Sequence, residues 1–397
     1  MGGTIAIIGA GQAGAWVART LRAEGFDGRV VLIGAERHPP YERPPLSKAV
    51  LFDAAAEATT TLLSTEQAQE AGIEFWLGTT VHAIDRAART LRCTDGQTLD
   101  YNRLFLTTGS RPRWPDWGPT GDSARIHQLR TLDDAAKLRG ALQSAQSLLI
   151  VGGGWIGLEV AASARKQNVA VTVYEAADRI CARSLPTAIS DWLSNLHRGK
   201  SVELILRASI ASVEESEDRV TIHFSDGSAT TADHLLIGIG NVPETALAEA
   251  AGLEVSNGIV VDATGRTSDP DIYAAGDVTS LPCSLASAHV RRESWANAQN
   301  QAIVAAKAAL GQDVRYEDIP WLWSDQHDVN IQIVGMPERA TTLRLKPGKT
   351  EGAGCWLALD AAGVAIGAIA VDAARDIRAA RKLILQNQPI SAEDWVA

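Results

Sequence analysis

Two apolar strands that each run into a Gly-x-Gly-x-x-Gly turn and a helix predict an α/β fold with two Rossmann-like dinucleotide-binding domains; a tail of alternating strands predicts an added C-terminal α+β domain. The first turn, Gly9-x-Gly11-x-x-Gly14, follows the apolar run from Thr4 to Ile8, and the second, Gly152-x-Gly154-x-x-Gly157, follows Leu148 to Val151. One such turn alone is a weak signal. The pair is strong because each next strand ends at an acid, Glu36 and Glu175, where a ribose-binding carboxylate belongs. The repeat also continues. Short strands turning at Asp95-Gly96, then a strand stopped by Gly109, come back as short strands turning at Asp226-Gly227 and a strand stopped by Gly240. A whole domain is duplicated.

In chain order, Gln12 to Gly25 reads as a helix and Arg29 to Ile33 as a strand. The run His38 to Lys48, HPPYERPPLSK, holds four prolines, which bar a continuous helix or a central strand. It reads as a stiff functional loop carrying Arg43 and Lys48. Ile73 to Leu77, Val81 to Ile84, Thr90 to Cys93 and Leu104 to Thr108 follow as strands, and Arg111 to Pro119 is a linker by composition. After the second cradle come strands at Val202 to Leu206, Ser209 to Val213, Val220 to Phe224 and Leu235 to Ile239. Beyond Val242 the pattern gives strands at Gly258 to Val261 and Ile272 to Ala275, the latter stopped by Gly276-Asp277, then a long helix from Glu293 to Leu310. Trp321 and Trp323 open the last region, with strands at Ile331 to Val334, Thr342 to Leu345, Cys355 to Leu359 and Ala365 to Val371 and a basic helix from Arg375 to Leu385. The segments are therefore 1–112, 113–240, 241–316 and 317–397.

The bulk properties narrow the function. A chain of 397 residues with 46% hydrophobic and 21% charged content fits a protein of two or three domains. A formal charge of −10 argues against nucleic acid or an anionic membrane as a global partner. No apolar run approaches the roughly 18 residues of a membrane span, and the first strand starts too close to Met1 for a signal peptide, so a cytoplasmic protein is expected. Cys93, Cys181, Cys283 and Cys355 are far apart and form no short pair, which excludes a zinc knuckle or a local redox disulfide and makes each a buried small hydrophobe. No metal site is expected, and no residue pattern specifies an oligomeric state.

Gly9, Gly11 and Gly14 with Glu36, joined by Asp277 behind the strand-ending Gly276, form the two-part mark of an FAD domain interrupted by an insertion. Together with these residues, PYERPPLSK (Pro40 to Lys48), TTGSRPR (Thr107 to Arg113), GGGWIGLE (Gly152 to Glu159), GIGNVPE (Gly238 to Glu244), TSDPDIYAAGDV (Thr267 to Val278), ESWANAQNQA (Glu293 to Ala302) and PWLWSDQ (Pro320 to Gln326) span nearly the whole chain. The set resembles the FAD-dependent NADH:ferredoxin reductases of aromatic-ring-hydroxylating dioxygenase systems, such as those for phenylpropionate/cinnamate and biphenyl. The resemblance implies a glutathione-reductase-like fold. Its FAD domain is in two parts, 1–112 and 241–316, with an inserted NAD domain, 113–240, and a C-terminal domain covering the flavin.

Carried over residue by residue, the resemblance assigns the ADP half of FAD to Gly9, Gly11, Gly14 and Glu36. Arg43 and Lys48 then face the flavin end and Asp277 the ribityl chain, with Thr108, Gly109, Gly276 and Glu293 in cofactor-binding motifs. Trp295 and Trp323 lie against or beside the isoalloxazine, with core filling as the other reading. Gly152, Gly154, Gly157, Glu175 and Gly240 serve NAD, and Glu175 favours NADH because a carboxylate repels a 2′-phosphate. Arg179 and Arg183 either hold the pyrophosphate or lie in solvent. Trp155 stands where relatives often carry a tyrosine over the flavin, and Glu159 where a carboxylate pairs with Lys48 beside flavin N5. The implied reaction moves electrons from NADH through FAD to a [2Fe-2S] ferredoxin. Arg375, Arg378, Arg381 and Lys382 are either its docking patch or a solvated helix face. Rival readings are an apoptosis-inducing-factor-like flavoprotein, an NADH oxidase or a disulfide reductase; the last two need an active cysteine near the flavin, and none precedes Cys93.

Overall fold

The computed structural model describes residues 2–118, 123–350, 352–391 and 395; the expected linker's last residue, Pro119, lies outside them. Contacts divide the chain into two compact units. The first gathers Met1–Arg43, Ala58–Arg111 and Val242–Pro320, the second Pro44–Glu57, Pro112–Asn241 and Trp321–Ala397.

The first unit is built on a five-stranded parallel sheet in the order Ile272–Ala274, Arg103–Leu106, Thr4–Ile8, Arg29–Gly34, Ile73–Leu77. Both faces are covered, which is why its central strands are apolar without alternation. Ile5 and Ile7 pack beneath the helices Gln12–Ala23 and Trp295–Ala309, while Ala6 and Ile8 face a second cluster with Leu91, Cys93 and Leu99. The helix expected from Glu293 starts at Trp295 because Ser294 caps it, accepting from the Asn297 N–H at 3.2 Å.

The second unit repeats that plan. Its parallel sheet runs Val202–Leu206, Ala170–Glu175, Ser147–Val151, His234–Ile237, Ile126–His127. The glycine-turn strand is central in both sheets, and the antiparallel sheet Val81–Asp85, Thr90–Cys93, Thr98–Asp100 of the first unit returns as Ile210–Glu215, Val220–Phe224, Ala229–Ala232. The tail forms a five-stranded antiparallel sheet, Trp321–Gln326, Val329–Gly335, Ala365–Val371, Gly354–Leu359, Thr342–Pro347, packed by the helix Ala374–Gln386. Trp321 and Trp323 share a strand face and stack at 5.2 Å between centroids.

Three helices were not expected from the sequence. Thr65–Glu70 and Leu132–Leu142 begin at capping boxes, Ser64 with Gln67 and Thr131 with Asp134, and Thr187–Gly199 begins after Pro186. Within the proline loop the prolines head a short 3-10 turn, Pro44–Ser47, followed by Ala49–Leu51 and Ala54–Thr60. Among the described residues no helix is long and apolar enough to cross a membrane.

A buried histidine pair marks the second unit. His127 Nε2 and His234 Nδ1 are 3.2 Å apart, and burial, reinforced by His234, lowers the His127 pKa from 6.5 to about 4. His234 is lowered too, chiefly by burial and then by Arg125. Between pH 6.5 and about 4 the unfolded chain therefore binds more protons at His127 than the native one, so stability falls on acidification across that window. Thermal melts over this range are expected to show a falling midpoint, with a flatter slope in the His127→Phe, His234→Leu double variant.

Candidate functional site

The two glycine turns are built alike to the atom. Gly9 N–H donates to Ile33 O and Gly152 N–H to Tyr174 O, each at 2.8 Å. The first and third glycines are required by the protein itself. A Cβ on Gly9 would stand 2.2 Å from Thr107 O, one on Gly14 2.0 Å from Gly9 O, and one on Gly157 2.2 Å from Gly152 O. The second glycines, Gly11 and Gly154, have nothing within 4 Å of such a Cβ. Each is also the N-cap of its helix and carries no side-chain cap, whereas Ser64, Thr131 and Ser294 cap theirs. Open space facing uncapped N–H groups fits the approach of a pyrophosphate. Gly154→Val is accordingly expected to leave the melting midpoint unchanged while weakening NADH binding at least tenfold, about 1.4 kcal/mol. Gly157→Ala is expected to lower the midpoint; melts and NADH titrations check both.

Beside the first turn, Glu36 accepts from Tyr41 Oη at 2.5 Å and from Arg43 at 2.8 Å. Burial opposes the charge on Arg43, but Tyr41, Glu36 and Asp277 outweigh it and raise its pKa above the ordinary arginine value. The Arg43 guanidinium is thus held on Glu36 while it also feels the charge of Asp277. Asp277 accepts from Ser110 Oγ at 3.2 Å, and Gly276 N–H donates to Gln301 Oε1 at 2.9 Å. Thr108 Oγ1 donates to Glu244 O at 2.8 Å, behind Gly109 with its φ of 70°. Trp295 Nε1 donates to Glu42 at 3.2 Å, and Glu293 pairs with Arg291.

In the second unit Glu175 folds over its own turn, accepting from Gly153 N–H at 2.7 Å and Ala177 N–H at 2.8 Å. The two arginines behind it separate in role. Arg179 is tied to the carbonyls of Leu185 and Ala182 at 2.8 and 3.0 Å and so braces the loop. Arg183 is exposed, and its Nη2 lies 3.3 Å from where a Cβ of Gly240 would be, over the end of the sheet. Trp155 is half-buried and donates from Nε1 to Ser184 Oγ at 3.3 Å, which ties its indole to the same loop.

The expected Lys48–Glu159 pair is formed, Nζ to Oε1 at 3.0 Å, inside the second unit because the turn around Lys48 packs there. Glu159 is buried and also accepts from Ser47 Oγ and, at 2.5 Å, from Ser324 Oγ. Lys48 Nζ donates to Pro44 O at 3.1 Å as well. Ser47, Ser324 and Ser184 escaped sequence reasoning; a serine beside a motif carries no signal of the partner that folding brings to it. All four cysteines are free and buried, and burial raises the thiol pKa of Cys93, Cys181 and Cys355, the last to about 12.

Two parallel-sheet units, each with a cradle and an acid, define a two-dinucleotide oxidoreductase. Residues 3–302 match the pyridine nucleotide-disulphide oxidoreductase family and residues 321–396 the reductase C-terminal family, and the chain belongs to the former with the latter appended. It is 40% identical over 95% of its length to the ferredoxin–NAD(+) reductase component of the anthranilate 1,2-dioxygenase system of Burkholderia cepacia, of which 93% is covered. It is also 40% identical over 98% of its length to the corresponding component of the p-cumate 2,3-dioxygenase system of Pseudomonas putida, of which 95% is covered. Among solved structures, the covalent putidaredoxin reductase–putidaredoxin complex is similar at a TM-score of 0.93 and 34% identity, covering 98% of this chain and 95% of that one. The fold is the glutathione-reductase-like one, and its members bind FAD and NAD(H).

Proposed function

We infer that this chain is an NADH-dependent ferredoxin reductase, feeding electrons to a [2Fe-2S] ferredoxin or a Rieske-type ferredoxin that serves an aromatic-ring dioxygenase or a related oxygenase. The observation that carries this reading is the duplicated cradle, one per unit, each with an open second glycine and an acid at the end of the next strand. The relatives named above narrow the acceptor to a ferredoxin. FAD supplies the hard chemistry, taking two electrons from a hydride and releasing them singly.

The residues hold and orient. Gly9, Gly11, Gly14 and Glu36 would hold the ADP half of FAD, with Arg43, braced on Glu36, facing the flavin end and Thr108, Gly109, Gly276 and Glu293 in the surrounding motifs. Asp277 would take a ribityl hydroxyl, and Trp295 and Trp323 would flank the isoalloxazine. Gly152, Gly154, Gly157 and Gly240 would receive NADH, Glu175 its adenine ribose and Arg183 its phosphates. Trp155, hydrogen-bonded to the Arg183 loop, would line the nicotinamide path. Lys48, charged and fixed by Glu159, would set the electrostatics of the flavin's reactive edge. With every cysteine free and buried, a disulfide or single-cysteine route has no nucleophile to use. Free thiols also suit the cytoplasm, where we place the protein.

Docking is assigned to the last helix. Arg375, Arg378 and Lys382 lie exposed along it, with Leu385 65% exposed at its end, a charged stripe with an apolar contact for an acidic partner. NADH-driven ferredoxin reduction is expected to weaken steeply with salt, and less steeply in the Arg375→Glu, Lys382→Glu double variant. An equal salt slope in both proteins contradicts the assignment.

A further inference from the structure

The carboxylate of Glu159 also ends a chain of buried polar side chains that none of the roles above uses. Glu159 is 6% exposed and Ser324 1%, while Gln326 and His197 are fully buried. Ser324 Oγ donates to Glu159 Oε1 at 2.5 Å, and Gln326 Nε2 donates to Ser324 Oγ at 2.9 Å. The other end of that amide, Oε1, is 2.7 Å from His197 Nε2, and His197 Nδ1 is 3.3 Å from Nε2 of the partly buried His327. The links come from the helices Trp155–Lys166 and Thr187–Gly199 and from the strand Trp321–Gln326 with the turn after it.

Donor and acceptor capacities leave this chain one direction. An ionised carboxylate only accepts, so the Ser324 hydroxyl donates to it and turns a lone pair to the Gln326 amide N–H. The amide oxygen then faces His197, whose Nε2 must carry hydrogen. That leaves Nδ1 of His197 as an acceptor for Nε2–H of His327. Both rings are neutral Nε2–H tautomers, and every donor points towards Glu159. Burial lowers the pKa of both histidines, that of His327 to about 4 with help from His197, Lys200 and Lys166 and against Asp328, which agrees with neutral rings at pH 7. Buried polar groups of this kind are costlier than apolar ones unless the whole set is satisfied. Here the set converges on one carboxylate.

We propose that Ser324, Gln326 and His197 are positioning residues for the Glu159–Lys48 pair: the chain fixes Glu159 as an ionised acceptor with Oε1 turned to Lys48. The proposal rests on the reading that this pair sets the flavin's reactive edge. Without the chain, Ser324 is free to turn its hydroxyl away, Glu159 Oε1 loses a donor, and Lys48 shifts towards Pro44 O.

The test uses the FAD-loaded protein in four variants: Gln326→Leu, His197→Leu, His197→Gln and Ser324→Ala. Imidazole ¹⁵N NMR of the wild type is expected to show Nε2–H tautomers at His197 and His327. In the Gln326→Leu and His197→Leu variants the two-electron equilibrium of the flavin is expected to move roughly tenfold, which is about 30 mV. The rate of its reduction by NADH is expected to fall by a similar factor. His197→Gln, whose amide N–H reaches the place of Nε2–H, is expected to restore most of both. Ser324→Ala changes volume least and reads the same quantities where a leucine variant does not fold. An Nδ1–H tautomer at His197, or an unmoved potential in the variants that fold, overturns the proposal. None of these readouts uses ferredoxin. A moved potential in a protein that cannot reduce ferredoxin sinks the functional reading alone, and an unmoved one with normal ferredoxin reduction sinks the chain alone.

Discussion

Replacing Glu159 with glutamine is expected to slow reduction of the flavin by NADH roughly tenfold to a hundredfold. The estimate follows from the about 1.5–3 kcal/mol of a hydrogen bond to a charged group, with each 1.4 kcal/mol worth about a factor of ten in rate. Glutamine keeps the shape of the side chain but faces the Lys48 ammonium, 3.0 Å away, with a neutral amide. The ammonium then sits in a largely buried place with only neutral acceptors, the amide oxygen and Pro44 O, and removing the charge of one partner of such a pair costs more than the pair itself contributes. Lys48→Met is expected to lose as much by removing the positive charge itself. Anaerobic stopped-flow of both variants, matched for FAD content and melting midpoint, is the check. Wild-type rates in both would remove the pair from the account.

The second large effect concerns the choice of reductant. Glu175 is held by the N–H groups of Gly153 and Ala177 at 2.7 and 2.8 Å, so its carboxylate has little freedom to move away from an added 2′-phosphate. Glu175→Ala is expected to shift the NADH-to-NADPH ratio of kcat/KM roughly a hundredfold towards NADPH, about 2.7 kcal/mol. That shift comes from the repulsion lost with the carboxylate. Arg179 is expected to contribute nothing to the preference, because its guanidinium is already spent on the carbonyls of Leu185 and Ala182. A ratio that moves less than threefold in Glu175→Ala would show that coenzyme choice lies elsewhere.

The parts of the molecule legible in its sequence are those with local causes. Glycines at Gly14 and Gly157 meet the carbonyls of Gly9 and Gly152 in the same turn, and the doubly covered sheets write their burial as unbroken apolar strands. The Glu159–Lys48 contact was legible only because both residues sit in motifs. Its supporting groups were not. Ser324 and Gln326 look like the polar face of an edge strand beside two tryptophans, yet that face is the buried one. His197 lies on the helix Thr187–Gly199, which has no side-chain cap to announce it. The bond from Arg43 to Glu36 was not legible either, since the direction in which a proline loop turns back is decided by what it packs on.

The most direct measurement is an anaerobic titration of the FAD-loaded protein with NADH in the presence of excess [2Fe-2S] ferredoxin. If the account is right, the flavin bands bleach on adding NADH alone, NADPH bleaches them far more slowly, and each NADH leaves two ferredoxins reduced. A protein that bleaches with NADH but passes no electrons to any ferredoxin, or that prefers NADPH, would contradict it.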